Sequence, residues 1–174
     1  MRGVTSLRLL ALLPLLAVAP AAGQRAGGSG LGGFNSNQPV DVAADRIEVQ
    51  DRADRAIFSG NVDARQGNLR MTAARLTVAY ANTGGIQIQR LEASGGVTLR
   101  TPSETATSQF AIYDLDRRIV TMIGGVTLVQ AANRVQGGRL VLDLDSHRAV
   151  MDGGTASSGG RVTGRFTVPR RAGN

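Results

Sequence analysis

Two acidic pairs in matching settings, Asp114-Leu115-Asp116 and Asp143-Leu144-Asp145, are the residues best suited by type and spacing to chemistry. Paired carboxylates can divide the acid and nucleophile roles of glycoside hydrolysis, or supply oxygen ligands to Ca²⁺. Aspartates at strand ends also bond nearby backbone amides and open turns, and that is the role expected here. Other constellations fail on inventory. His147 is the single histidine and cysteine is absent, so neither a Ser/His/Asp or Cys/His nucleophile system nor a zinc cluster can be assembled. Gly28-Ser29-Gly30-Leu31-Gly32-Gly33 spells G-x-G-x-x-G. A dinucleotide site, however, needs a strand before it, a helix after it and an acidic residue about twenty positions on, and this Gly/Ser/Asn stretch offers neither strand nor helix. The expectation is a protein with no catalytic residue, no metal and no cofactor.

Charge narrows the partners. All 20 basic residues are arginine, against 13 acids, for a net charge of +7, and Arg161, Arg165, Arg170 and Arg171 cluster at the C-terminus. With 3% aromatic residues and no basic recognition helix, nucleic acid is a poor partner. An anionic glycolipid suits better, since guanidinium forks pair with phosphate and carboxylate. Arginines on solvated strand faces give the same composition.

The N-terminus reads as an export signal. Arg2 and Arg8 precede an apolar run from Leu9 to Ala19, and small residues Ala19, Ala21, Ala22 and Gly23 follow. That order is the charged, hydrophobic, small-residue order of a secretory signal peptide. The run is about half of the roughly 20 residues that a bilayer span requires. Residues 1–23 are therefore expected to be cleaved on export, 24–38 to form a Gly/Ser/Asn linker, 39–168 to form one domain, and 169–174 to be a basic tail. Loss of Arg2 and Arg8 lowers the net charge from +7 to about +5. An exported domain without cysteine must be held by packing and sheet pairing alone.

The elements that carry these residues announce themselves by repetition. Glycines recur at Gly60, Gly95, Gly124 and Gly153, at spacings of 35, 29 and 29. Short strands recur at Arg46-Ile47-Glu48-Val49, Arg75-Leu76-Thr77-Val78, Gln109-Phe110-Ala111-Ile112 and Arg139-Leu140-Val141-Leu142, with a worn copy at Arg165-Phe166-Thr167-Val168. Self-similarity of this length marks stacked supersecondary units. Around each glycine the apolar residues fall at every second position, as in Ala56, Phe58, Val62 and Ala64. Period two places them on one face of a strand, so the units share one apolar interior. Each glycine, in phase with that interior, is expected to permit a bulge, bend or close approach. Turn chemistry recurs at Gln66-Gly67-Asn68 and Asn82-Thr83-Gly84-Gly85, and helical periodicity is missing after residue 24. The fold class is all-β, built from repeats of short antiparallel strands.

The segments Ala44-Asp45-Arg46-Ile47-Glu48-Val49, Ala56-Ile57-Phe58-Ser59-Gly60-Asn61-Val62, Ala73-Ala74-Arg75-Leu76-Thr77-Val78 and Leu91-Glu92-Ala93-Ser94-Gly95-Gly96-Val97 resemble the periplasmic lipopolysaccharide-transport protein A family, also called organic-solvent-tolerance-like. The resemblance covers residues 39 to 168. It implies an elongated, twisted β-jelly roll with a hydrophobic groove. It also implies end-to-end self-association and a lipopolysaccharide-binding bridge in the Gram-negative periplasm, between inner-membrane and outer-membrane transport components. The short leader and the lack of barrel sequence after residue 174 favour the soluble bridging member over its membrane-bound relatives. The inner-membrane-anchored component is the alternative if the leader is retained. A structural or adhesive exported β-solenoid with a dry core is the alternative from another class.

On this reading the lipid-contacting, inward-facing residues are Ile47 and Val49, Phe58 and Val62, Leu76 and Val78, and Leu91, Val97 and Leu99. The set continues with Phe110 and Ile112, then Met122, Val126 and Leu128, then Leu140 and Leu142. Edges for self-association are expected at Val40 and Val42 on one side and Val162, Phe166 and Val168 on the other, because open sheet edges present unpaired N–H and C=O groups.

Overall fold

The computed structural model describes residues 37–82, 84–154 and 160–168. The expected leader, most of the linker with its glycine motif, and the basic tail lie outside them. Among the described residues ten strands form one antiparallel sheet: β1 (Asp41–Ala43), β2 (Arg46–Gln50), β3 (Arg55–Gln66), β4 (Leu69–Asn82), β5 (Ile86–Arg100), β6 (Glu104–Asp114), β7 (Ile119–Gln130), β8 (Asn133–Asp143), β9 (Arg148–Asp152) and β10 (Thr163–Arg165). A 3₁₀ turn, Asp51–Ala53, joins β2 to β3. From β3 to β8 each strand pairs with its neighbours in sequence, as hairpins do; β1 and β2 both pair with β3, and β9 and β10 both pair with β8.

The doubled partners at each end reveal how the sheet is bent. β2 pairs with β3 from Arg55 to Ser59, and β1 pairs with it from Asp63 to Arg65. Between them the register shifts at Ser59/Val62, and equivalent shifts occur at Ser94/Val97 and Ile123/Val126. At each shift two consecutive residues take positive φ: Gly60 and Asn61, Gly95 and Gly96, Gly124 and Gly125. Such a bulge bends the strand and increases its twist. The three bulges lie on alternate strands, β3, β5 and β7, in line across the sheet, and divide the strands into two halves whose inner residues pack together.

Three rows of register partners make the interior. One runs Ile47, Phe58, Leu76, Ala93, Ala111, Met122, Leu140, Met151. The next runs Val49, Ala56, Val78, Leu91, Tyr113, Val120, Leu142, Ala149. Across the bulge lies Val42, Ala64, Met71, Leu99, Ala106, Leu128, Val135. Residues of both halves belong to one buried cluster, in which Leu76, Met122 and Leu140 are wholly buried.

The expected strand phase holds in β3, β4, β5, β7 and β8 and fails in β6. Ala111 and Tyr113 are buried there, whereas Phe110 and Ile112 are exposed on the outer face. Apolar residues stand on both faces of this strand, so period two could be read in either phase. The spacing of 35 between Gly60 and Gly95 held the answer, since Leu76 plus 35 is Ala111. Ile47 and Val49 share the inner rows yet stay 55% and 57% exposed, because β2 is an edge strand with no neighbour beyond it. The worn last copy is also corrected: β10 pairs over Thr163–Arg165, and Phe166 and Val168 lie beyond it, exposed.

Candidate functional site

The interior between the two half-sheets is the apolar space that the fold builds from every repeat. Of the residues expected to line it, Val62, Leu76, Val78, Leu91, Val97, Leu99, Met122, Val126, Leu140 and Leu142 are buried, and Phe58 and Leu128 pack against them half-buried. Ile47 and Val49 extend its apolar rows to the open first edge, and Phe110 and Ile112 do not belong to it. Packed side chains fill most of that space. One cleft between the half-sheets, bounded by Val40, Ala64, Met71, Leu91, Tyr113 and Val120, has a free volume of about 20 Å³. That is room for about one water, which needs roughly 10–15 Å³.

Away from the bulges, the two half-sheets come together along polar lips. Tyr113 on β6 donates its hydroxyl hydrogen bond to Gln66 Oε1 on β3 at 3.1 Å, and Gln66 Nε2 donates to the carbonyl of Gln38 at 2.9 Å. Burial pushes the Tyr113 phenol up to about 12, so it remains a neutral donor at physiological pH. On the β6–β7 turn, Arg118 Nη2 donates to Asn37 Oδ1 and Nη1 pairs with Asp145 Oδ1, both at 3.0 Å. Sequence reasoning missed Gln66 and Tyr113, because a glutamine beside Gly67 reads as turn chemistry and the β6 phase error put Tyr113 outside.

The acidic pairs are structural. Asp114 Oδ1 accepts from the Arg117 amide at 3.0 Å, and Asp143 Oδ1 accepts from the amides of Asp145 and Ser146 at 3.1 and 3.0 Å. The Ser146 bond holds the Asp143 carboxyl below its ordinary range. Leu144 between its two aspartates is buried, and Leu115 packs on the core. On the outer face, Asp63 accepts from Arg65 and Arg70 at 2.8 Å each, and these guanidiniums hold its carboxyl well below the usual range. Among the described residues no three His, Cys, Asp or Glu side chains gather as a metal site, and no helix is long and apolar enough to cross a membrane.

The expected edges lie at opposite ends of the sheet. Val40, just before β1, and Val42, within it, pack against the core, whereas Val162 flanks β10, 42% exposed. Phe110 and Ile123 meet on the outer face above Arg75 and Glu92, in an open cleft.

The fold is a jelly roll made from one bent sheet around a repeat-built apolar interior, with acidic side chains bonded within its turns. Residues 41–148 match the family described as LptA/(LptD N-terminal domain) LPS transport protein, and the chain belongs to that family. Its members are transport proteins, not enzymes. An uncharacterised protein of Rhizobium meliloti (strain 1021) is 31% identical over 158 residues, covering 87% of this chain and 81% of the relative. The lipopolysaccharide export system protein LptH of Pseudomonas aeruginosa is 24% identical over 131 residues, covering 72% and 73%. The crystal structure of LptH, the LptA-homologous periplasmic component of the lipopolysaccharide transport device of that organism, matches with a TM-score of 0.66 at 19% identity. It covers 75% of this chain and 96% of that one, a likeness of fold.

Proposed function

We propose that this chain is a periplasmic lipopolysaccharide-binding bridge that carries the lipid between inner-membrane and outer-membrane transport components. The observation that carries this reading is the inner apolar face, continuous from β2 to β9 and still uncovered at Ile47 and Val49 on the first edge. An exposed apolar row at an edge strand is a surface on which another unit can extend both ladder and core. Acyl chains sheltered between the half-sheets gain about 0.8 kcal/mol per buried methylene. Sugars and phosphates stay in water at the lips, and the energy for directional movement comes from elsewhere in the assembly. Contact residues are Phe58, Val62, Leu76, Val97, Met122 and Leu140 with their row neighbours, and self-association runs head to tail from β9 and β10 onto β1 and β2.

The close packing of the interior is also what a purely structural β protein with a dry core needs. Incubating the purified protein with lipopolysaccharide and following co-migration by size exclusion separates the two. The transport reading expects the lipid to elute with the protein; a protein that elutes free of lipid at micromolar concentrations of both is a dry-core scaffold.

A further inference from the structure

The free space of about 20 Å³ between the half-sheets beside Val40, Met71 and Tyr113 holds about one water and is far too small for an acyl chain, and the core side chains around it are buried. Lipid therefore reaches the interior only if the half-sheets part. They cannot part at the bulges, where the backbone is continuous through every strand from β3 to β8. Opening must occur at the lips, which are joined by a short chain of polar contacts. Tyr113 on one half bonds Gln66 on the other, Gln66 bonds the Gln38 carbonyl, and Arg118 bonds Asn37. Residues 37–40 thus run as a strap across both lips, with Val40 against the residual space.

We propose that the Tyr113–Gln66 bridge and this strap form a latch that keeps the interior shut and is released when an acyl chain enters. This rests on the lipid-carrying function above and adds its gate. A phenol and an amide suit such a latch, because they satisfy each other when closed and can turn to water when open, whereas two apolar lips would oppose opening. The strap precedes the three-residue β1 and residues 37–39 are exposed, the local setting in which segments open without global unfolding.

Because the chain has no cysteine, spin labels at Asn68→Cys and Asp116→Cys, on exposed turns of opposite lips, report the opening directly. Tyr113→Phe and the surface change Arg118→Gln each weaken the latch at a different point, and the second removes no buried group. The latch predicts a longer, broader label separation in both variants without ligand. It also predicts uptake of the fluorescent fatty acid cis-parinaric acid faster by roughly three- to tenfold, the range of one net hydrogen bond. Unchanged separation in both variants overturns the latch. A wider separation with no uptake of parinaric acid or lipopolysaccharide by any form overturns the lipid function and with it the gating role, while leaving the polar closure of the lips established.

Discussion

Gly95 and Gly96 sit at φ of +83° and +82°, and a Cβ at Gly95 would lie 2.7 Å from the Cβ of Ala74 on the neighbouring strand. Gly95→Ala therefore meets both backbone strain and a collision, and is expected to destabilise by about 1–3 kcal/mol in urea unfolding. Side-chain truncations distinguish the two faces. Leu76→Ala removes a wholly buried side chain and should cost about 2–5 kcal/mol, while Phe110→Ala, half-exposed on the outer face, should stay within about 0.5 kcal/mol. Asp63 supplies a pH signature. Its carboxyl is held below the ordinary value by Arg65 and Arg70, so its stabilisation is present at neutral pH. That stabilisation is lost as pH falls from the unfolded value of about 3.9 through the lower folded one. Asp63→Asn should flatten the acid limb of a stability–pH curve; an unchanged limb assigns the acid sensitivity elsewhere.

Strands were legible wherever one face is apolar and the other polar. In β4, Leu76 and Val78 alternate with Arg75 and Thr77, and the register follows. β6 defeated the same reasoning because Phe110, Ala111, Ile112 and Tyr113 are apolar in succession, and only the glycine spacing distinguishes the phases. The bulges were legible as glycines; the bend that folds one sheet into two facing halves depends on three of them lying abreast, a long-range fact that no local pattern carries. The Gln66–Tyr113 bridge spans 47 positions, and for the same reason it was invisible. The edges yield a test of their own. A chain ending at Arg161 lacks β10, whose place in the sheet rests on its pairing with Gln136, Val135 and Arg134. It should fold, bind lipid and lose concentration-dependent oligomers in sedimentation; undiminished oligomers would move the joint away from this edge.

Among the described residues, every strand from β3 to β8 crosses from one half-sheet to the other, so a single apolar interior runs across the sheet and its lips lie along one side. On the proposed function, that architecture would take up a chain-like ligand without chemistry once the lips part, and would extend by addition of further sheet at either end. It also accounts for the placing of the acidic pairs, Asp114 and Asp143 bonding backbone amides of the turns that follow β6 and β8. The decisive measurement places a photo-crosslinking phenylalanine analogue at Phe58, on the inner row beside Leu76, and at Phe110, on the outer face. Irradiation with lipopolysaccharide present should yield a lipid adduct at Phe58 and none at Phe110. Equal adducts at both positions, or an adduct at Phe110 alone, would contradict transport through the interior.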